Sequence, residues 1–486
     1  MTENDMAYKD LHEFVKILEE RSLLRRITVE VDPILEISEI TDRITKKGGP
    51  ALLFERVKGS SVPLLINTFG TLERMCLALE VNALDEIAHR IAQLLRPDVP
   101  TGLLEKLRSL ARLKEFSDAL PVLVRTGPCK EVILRNPPSL SFLPLIQCWP
   151  KDGGRYITFP MVITKDPETG ARNVGCYRMQ VFDEKTTAMH WQLHKDGTAH
   201  HRKYKEEGKR MEVAAALGAD PATMYAATAP LPHGMDEFVL AGFLRRKPVE
   251  LVKCETVNLE VPAHAEIILE GYVDPNEMSI EGPFGGHTGF YSLDVKFPVF
   301  HITCITHRRE PIYPTIIVGK PIQEDDFLGK ASERIFLPFI RMIVPEIVDM
   351  HLPFEGAFHN CAIVSIHKTY PGQAKKVMQA MWGLGQLMFS KMVIVVENSV
   401  DVQNLKDVAW RVLNSIDPKR DIIFSEGPVD ELDVASCYAY YGTKIGIDAT
   451  DKGPEEGMKR PWPDEIIMGT DIKTLVEKRW KEYGLL

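Results

Sequence analysis

"FPMVITKDPETGARNVGCYRMQVFDEKTTAMHWQLH", residues 159–194, decides the fold of the middle of this chain. Two turn clusters, "KDPETG" at 165–170 and "DEKT" at 183–186, separate three runs rich in β-branched, aromatic and sulfur side chains. Alternation bounded by such turns predicts an antiparallel meander. Downstream, "EVAAALGADPATMYAA" (212–227) reads as a strand running into a helix, and "DEFVLAGFLRR" (236–246) as a short helix. "VELVKCETV" (249–257), "AEIILEGYV" (265–273) and "PVFHITCITHR" (298–308) return to strand. From about Val122 to Pro314 the pattern therefore predicts a β-rich barrel or sandwich with short helices over it.

The flanks differ. "YKDLHEFVKILEERSLL" (8–24) sets Leu11, Phe14, Val15 and Leu18 on one helical face. "RITVEV" (26–31) alternates as a strand, "DPILEISEITDRI" (32–44) reads as helix, and "GGPALLFERV" and "VPLLINTF" as strands. Helical stretches continue to about Phe116, giving a small α/β domain. After about Gly329 helix and strand alternate. "SERIFLPFIRMIVPEIV", "AKKVMQAMWGLGQLM" and "NLKDVAWRVLNSI" read as helices, followed by the strands "CAIVSIH", "MVIVVE" and "DIIFSE". That order predicts a parallel or mixed sheet. The last helix, "DIKTLVEKRWKEYGLL", suits docking at home or on a partner subunit. The expected domains are 1–118, 119–318 and 319–486.

Composition excludes several classes. The 486 residues are too many for one core. Hydrophobic residues make up 44% and charged residues 26%, as in soluble globular chains. With 59 basic and 68 acidic side chains, the net charge of −9 offers no basic field for nucleic acid. No stretch reaches the roughly 18 apolar residues of a membrane span. The N-terminus "MTENDMAYKDLHEF" lacks an apolar signal core. The eight cysteines are scattered with no C-x-x-C pair, which reads as reduced thiols in the cytoplasm.

Common catalytic signatures are missing: no phosphate-binding P-loop, H-E-x-x-H, G-x-S-x-G or strand-linked G-x-G-x-x-G occurs. What remains is a polar set in the β-rich block. Asn173, His194 and Glu237 offer O, N and O donors suited to Mn²⁺ or Mg²⁺. Each also has a plain reading: a turn cap, a solvated loop histidine, a helix-start acid. Glu281 stands before Gly-Pro in "SIEGPFGGHTGFYS" (279–292), where a loop acid at a turn is the ordinary expectation. Lys391 precedes a buried-looking strand, as a phosphate ligand or a strand-end cation.

Together these blocks carry a resemblance. "PALLFERVKGS", "NVGCYR", "ALGADPAT", "VKCETVNLEVPAHAEIILEGYVDP", "EGPFGGHTGFYS" and "GTKIGIDAT" resemble the UbiD family of reversible decarboxylases over nearly the whole chain. "PIYPTIIVGKPIQEDDFLGKASERIFLP" leans toward its menaquinone-pathway branch, beside the branch acting on 4-hydroxy-3-polyprenylbenzoate. The resemblance implies an α/β fold in three parts, with a central split-barrel flavin-binding domain and a C-terminal oligomerisation domain. It implies prenylated FMN, supplied by a flavin prenyltransferase and held through Mn²⁺ with K⁺ nearby. It places the metal on Asn173, His194 and Glu237, and catalysis on Arg178 and Glu281. Thr158, Pro230 and Lys391 match cofactor-lining positions. The implied substrate is an aromatic acid of quinone biosynthesis, with another aromatic or heteroaromatic acid, or a non-catalytic role in an assembly, as alternatives. A homodimer or homohexamer is expected, with peripheral membrane association if the substrate is prenylated.

Two expectations follow from the chemistry. A proton donor near neutral pH needs a raised pKa, so burial of Glu281 should outweigh Arg178. The family's second acid is replaced here by Gly286, and His287, titrating near neutrality, is the expected helper.

Overall fold

The computed structural model describes residues 7–95 and 117–485. The helical reading between Leu95 and Phe116 lies outside the described residues.

In the N-terminal part, helix Leu11–Glu20 buries Leu11, Phe14, Val15 and Leu18, the face its spacing dictates. The Asp10 side chain caps it by accepting from the Glu13 amide. Strands Leu24–Ile27, Ala51–Phe54 and Leu64–Ile66 form a sheet in that order. Its fourth strand is Tyr313–Pro314, contributed from far along the chain.

The central sheet is antiparallel, in the order Thr186–Ala188, Val295–His307, Ile267–Glu281, Met211–Leu217, Pro160–Lys165, Arg172–Cys176. Val132–Leu134 pairs with Val295–His307. Two strands dominate, Ile267–Glu281 with 15 residues and Val295–His307 with 13. The sheet does not close on itself into a barrel among the described residues.

The simple meander is corrected. Pro160–Lys165 and Arg172–Cys176 do pair as a hairpin. The second run then breaks at Tyr177 and Arg178, and Met179–Gln180 pairs instead with Tyr156–Ile157. The third run, Thr186–Ala188, crosses to the far edge of the sheet. Period-2 alternation reports which face a residue takes, not which neighbour it pairs with.

In the C-terminal part a mixed sheet runs Ile347–His351, Cys361–Ile366, Met392–Glu397, Tyr441–Ala449, Ile422–Pro428. The two inner pairings are parallel and the two outer ones antiparallel. The helix expected at 332–348 instead spans Glu324–Ile343. It starts earlier at a Gln323–Asp326 capping box. It stops before Pro345, which disfavours helical backbone at Val344. Ile347–His351 is therefore strand. Helix Thr470–Arg479 has no buried residue, so it does not dock on its own chain.

Candidate active site at the end of the long hairpin

Glu281 is the last residue of its strand, opposite Val295, and its side chain is fully buried. A buried carboxylate must be paired and hydrogen-bonded. Arg178, in the break after Arg172–Cys176, supplies most of this. Its Nε donates to Oε1 at 2.7 Å and its Nη2 to Oε2 at 3.0 Å, a two-pronged contact. His190 Nδ1 lies 3.2 Å from Oε2. The guanidinium also stands 4.4 Å from the centre of the Phe284 ring and reaches Ser292 Oγ.

The expected direction of the Glu281 shift is reversed. Burial does raise its pKa, but the hydrogen bonds from His190 and Arg178 and the charge of Arg178 outweigh burial and hold it at about 2. The resting carboxyl is ionised at neutral pH.

The loop after Glu281 is fixed by its neighbours. Asp152 accepts from the amides of Gly285, Trp149 and Cys148. Gln180 accepts from Gly282 N–H and donates to the Gly153 carbonyl, and Tyr156 donates to the Pro283 carbonyl. A Cβ at Gly285 would stand 2.2 Å from Trp149 Cδ1, so this glycine makes room for an indole. At Gly286 a Cβ would meet Phe290 O at 3.5 Å and Leu432 Cδ1 at 3.6 Å, ordinary contacts. Nothing in the backbone demands glycine there.

His287 faces the C-terminal part. Its Nε2 is 2.7 Å from His359 Nε2, and its ring stacks on Phe358 at 5.4 Å. Burial, with His359 beside it, holds His287 well below the ordinary imidazole range. The expectation that it titrates near neutrality is corrected: it is neutral there.

Two of the expected metal ligands, Asn173 and Glu237, are neighbours. Asn173 lies mid-strand, and Glu237 heads helix Glu237–Arg245 and accepts from the adjacent Val174 amide at 2.7 Å. Asn173 Nδ2 donates to the Tyr177 hydroxyl, which also accepts from Gly197 N–H, at the start of helix Asp196–Glu206. His194 lies in the turn before that helix, exposed, its ring 5.5 Å from Phe389 and 5.8 Å from Tyr440. No hydrogen bond joins it to Asn173 or Glu237 among the described residues. No group of three His, Cys, Asp or Glu side chains suited to a metal occurs among them either; the set here is mixed amide, imidazole and carboxylate. Burial pushes Glu237 up to about 8 despite the Val174 amide. A carboxylate so short of compensation fits a cation.

The Thr158 hydroxyl is 2.7 Å from that of Thr315 and donates to the Ile316 carbonyl. Lys391 pairs with Asp433 at 2.8 Å on the C-terminal side. Pro230 lies just past helix Pro221–Ala226. Sequence reasoning missed His190, Asp152, Gln180 and His359. His190 was legible only as an imidazole in an alternating run, four residues before the histidine that drew attention.

Family models named for 3-octaprenyl-4-hydroxybenzoate carboxy-lyase match in three segments: the N-terminal domain at 15–92, the Rift-related domain at 122–321 and the C-terminal domain at 326–449. The chain belongs to the UbiD family of prenylated-FMN-dependent carboxy-lyases. It is 54% identical to an uncharacterized protein of Archaeoglobus fulgidus over 98% of this chain and 99% of that one. It is similar to the UbiD-class enzyme HmfF of Pelotomaculum thermopropionicum in complex with FMN, with TM-score 0.79 and 31% identity over 96% and 99% of the two chains. It is also similar to the closed form of Sedimentibacter hydroxybenzoicus vanillic acid decarboxylase, with TM-score 0.86 and 29% identity over 99% of each.

Two outcomes are expected. Gly285→Ala drives a methyl into Trp149 and should cost about 1–3 kcal/mol; an unchanged denaturant midpoint would refute the packing role. In chelator-treated protein, Glu237 keeps a proton that the unfolded chain gives up at the ordinary value of 4.5. Stability should therefore fall as pH rises from 4.5 toward 8. Mn²⁺ should offset the fall, and Glu237→Gln should flatten the curve, both read by thermal melts.

Proposed function

We propose that this protein catalyses the reversible, non-oxidative decarboxylation of an aromatic carboxylic acid of the hydroxyarene or naphthoate type. The observation that carries the reading is the two-pronged Arg178–Glu281 pair, buried at the end of the long hairpin. The likeness to vanillic acid decarboxylase supports the hydroxyarene class.

Prenylated FMN, when bound, supplies the electron sink for the charge left as CO₂ departs. Asn173, His194 and Glu237 would hold Mn²⁺, with K⁺ as a companion ion, and the cations would offset the negative charge of the cofactor. Thr158, Pro230 and Lys391 line the cofactor. Arg178 orients the substrate carboxylate. That carboxylate competes for Arg178 and adds a like charge beside Glu281, and both effects raise the pKa of Glu281. Substrate binding thus readies Glu281 to carry the proton that the ring carbon receives. His287, neutral and paired with His359, shapes the far wall of the site.

A narrower reading is a quinone precursor with a polyprenyl tail. The hairpin that carries Glu281 exposes Met278, Ile280, Phe290 and Leu293, the last at 82%, an apolar surface beside the site that suits such a tail. The same surface would rest on a membrane that holds the substrate.

The terminal helix bears on assembly. Ile466, Ile467, Met468, Ile472 and Leu475 are all exposed around it. We assign this face to a homodimer contact or a multiple of it, and light scattering at micromolar concentration should give at least a dimer, with a monomer after truncation at residue 465. A monomeric full chain would overturn this.

Glu281→Gln keeps the shape but not the proton. With prenylated FMN loaded, it should retain cofactor absorbance and lose about 10²–10⁴ in turnover of hydroxyarene acids. Wild-type turnover by the variant would remove Glu281 from the reaction.

A further inference from the structure

Glu281 accepts three hydrogen bonds, and only two come from the arginine. The third donor is His190, and its setting is unusual. Its backbone N–H donates to the Arg178 carbonyl at 3.2 Å, so the two partners of Glu281 are tied to each other along the backbone. Its ring lies 4.3 Å from that of Phe297, on the strand partnering Ile267–Glu281. Its Nδ1 points at a carboxylate, so Nδ1 carries the proton. Its Nε2 is buried with no hydrogen-bond partner. A second proton there would place an unpartnered N–H⁺ in an apolar wall, which burial opposes.

We propose that His190 is a positioning residue: a neutral donor locked in the Nδ1–H tautomer that, with Arg178, fixes the Glu281 carboxylate in one orientation and keeps it ionised until substrate arrives. This rests on Glu281 being the proton carrier.

The groups around the contact agree. On His190, Arg178 acts against a second proton, while Glu281 and Asp430 favour one; burial outweighs them and the imidazole stays neutral at physiological pH. On Glu281, Arg178 and His190 both favour the carboxylate. Tyr156 and Glu431 also face it electrostatically, and burial raises the pKa of both. Between pH 5 and 9 His190 therefore supplies a hydrogen bond without a change of charge. A histidine that titrated there would switch Glu281; this one cannot.

The test reads Glu281 itself, in protein without cofactor. Carboxyl ¹³C chemical shifts of Glu-labelled protein, assigned by the loss of one signal in Glu281→Gln, give its titration midpoint. His190→Phe keeps the aromatic packing and removes the donor, and the midpoint should rise by about one pH unit. His190→Gln restores an N–H donor and should return the midpoint to within a few tenths of a unit of the parent. A midpoint unmoved in His190→Phe would overturn the proposal, as would an equal rise in both variants, which would mark a packing role. If His190→Phe does not fold, the parent decides. ¹⁵N imidazole shifts must show Nδ1 protonated and Nε2 bare from pH 5 to 9, and an Nε2–H tautomer or an imidazolium in that range would refute it. None of these readouts depends on turnover, so failure of the proposed reaction on any substrate stays separate from failure of this assignment.

Discussion

The constraint on which the rest depends is one negative charge with no access to water. Glu281 is fully buried at the end of a 15-residue strand, and an unpaired carboxylate there would cost several kcal/mol. Arg178 answers it only because the chain leaves its sheet after Cys176 and turns inward before Met179–Gln180. His190 answers it because the third run crosses to the opposite edge beside Val295–His307. The strand break and the crossing look like irregularities in a meander. They are the two departures that bring a guanidinium and an imidazole to the same carboxylate.

Two glutamates show how environment divides roles. Glu281 has two side-chain partners, one cationic, and is held at about 2; Glu237 is met by backbone amides, that of Val174 first, and is pushed up to about 8. Burial acts upward on both, so the difference lies in the partners. Groups of one type pushed apart in this way mark different tasks. Glu281 is complete without a ligand and waits for a change in charge nearby. Glu237 is incomplete, the property on which the proposed Mn²⁺ site rests, and Asn173 stands next to the Val174 amide from which Glu237 accepts.

Much of this was legible in the sequence, and the boundary is physical. Local periodicity marked helix Leu11–Glu20 with its buried face, the Ile267–Val273 half of the longer hairpin strand and most of its partner, and the alternation of Cys361–Ile366 and Met392–Glu397 with helices, but it left Glu281 on a loop where the structure ends a strand. Motif resemblance pointed to Arg178 and Glu281. Pairing partners were not legible, because alternation is indifferent to neighbours. Tyr313–Pro314 completing the first sheet, and Tyr441–Ala449 lying inside the last, are set by tertiary contacts. Nor could spacing show that Gly285 clears space for Trp149 while a side chain at Gly286 would meet only ordinary contacts. The direction of the Glu281 shift failed for the same reason: His190 is 91 residues away in sequence and its donor is invisible without the fold.

The open position at Gly286 then takes on a specific meaning. No side chain stands there, and His287, the next residue, is engaged with His359 and held neutral by burial. The groups that touch Glu281 are a guanidinium, which stays cationic, and an imidazole held neutral. Neither changes charge across the physiological range. A charge change that can move a proton onto Glu281 must therefore come with what binds beside it, and an arriving carboxylate is such a charge. It draws on Arg178 and repels Glu281, so occupancy and protonation rise together. On the proposed reaction the acid is therefore armed by its own substrate, because neither side chain hydrogen-bonded to Glu281 supplies a change of charge.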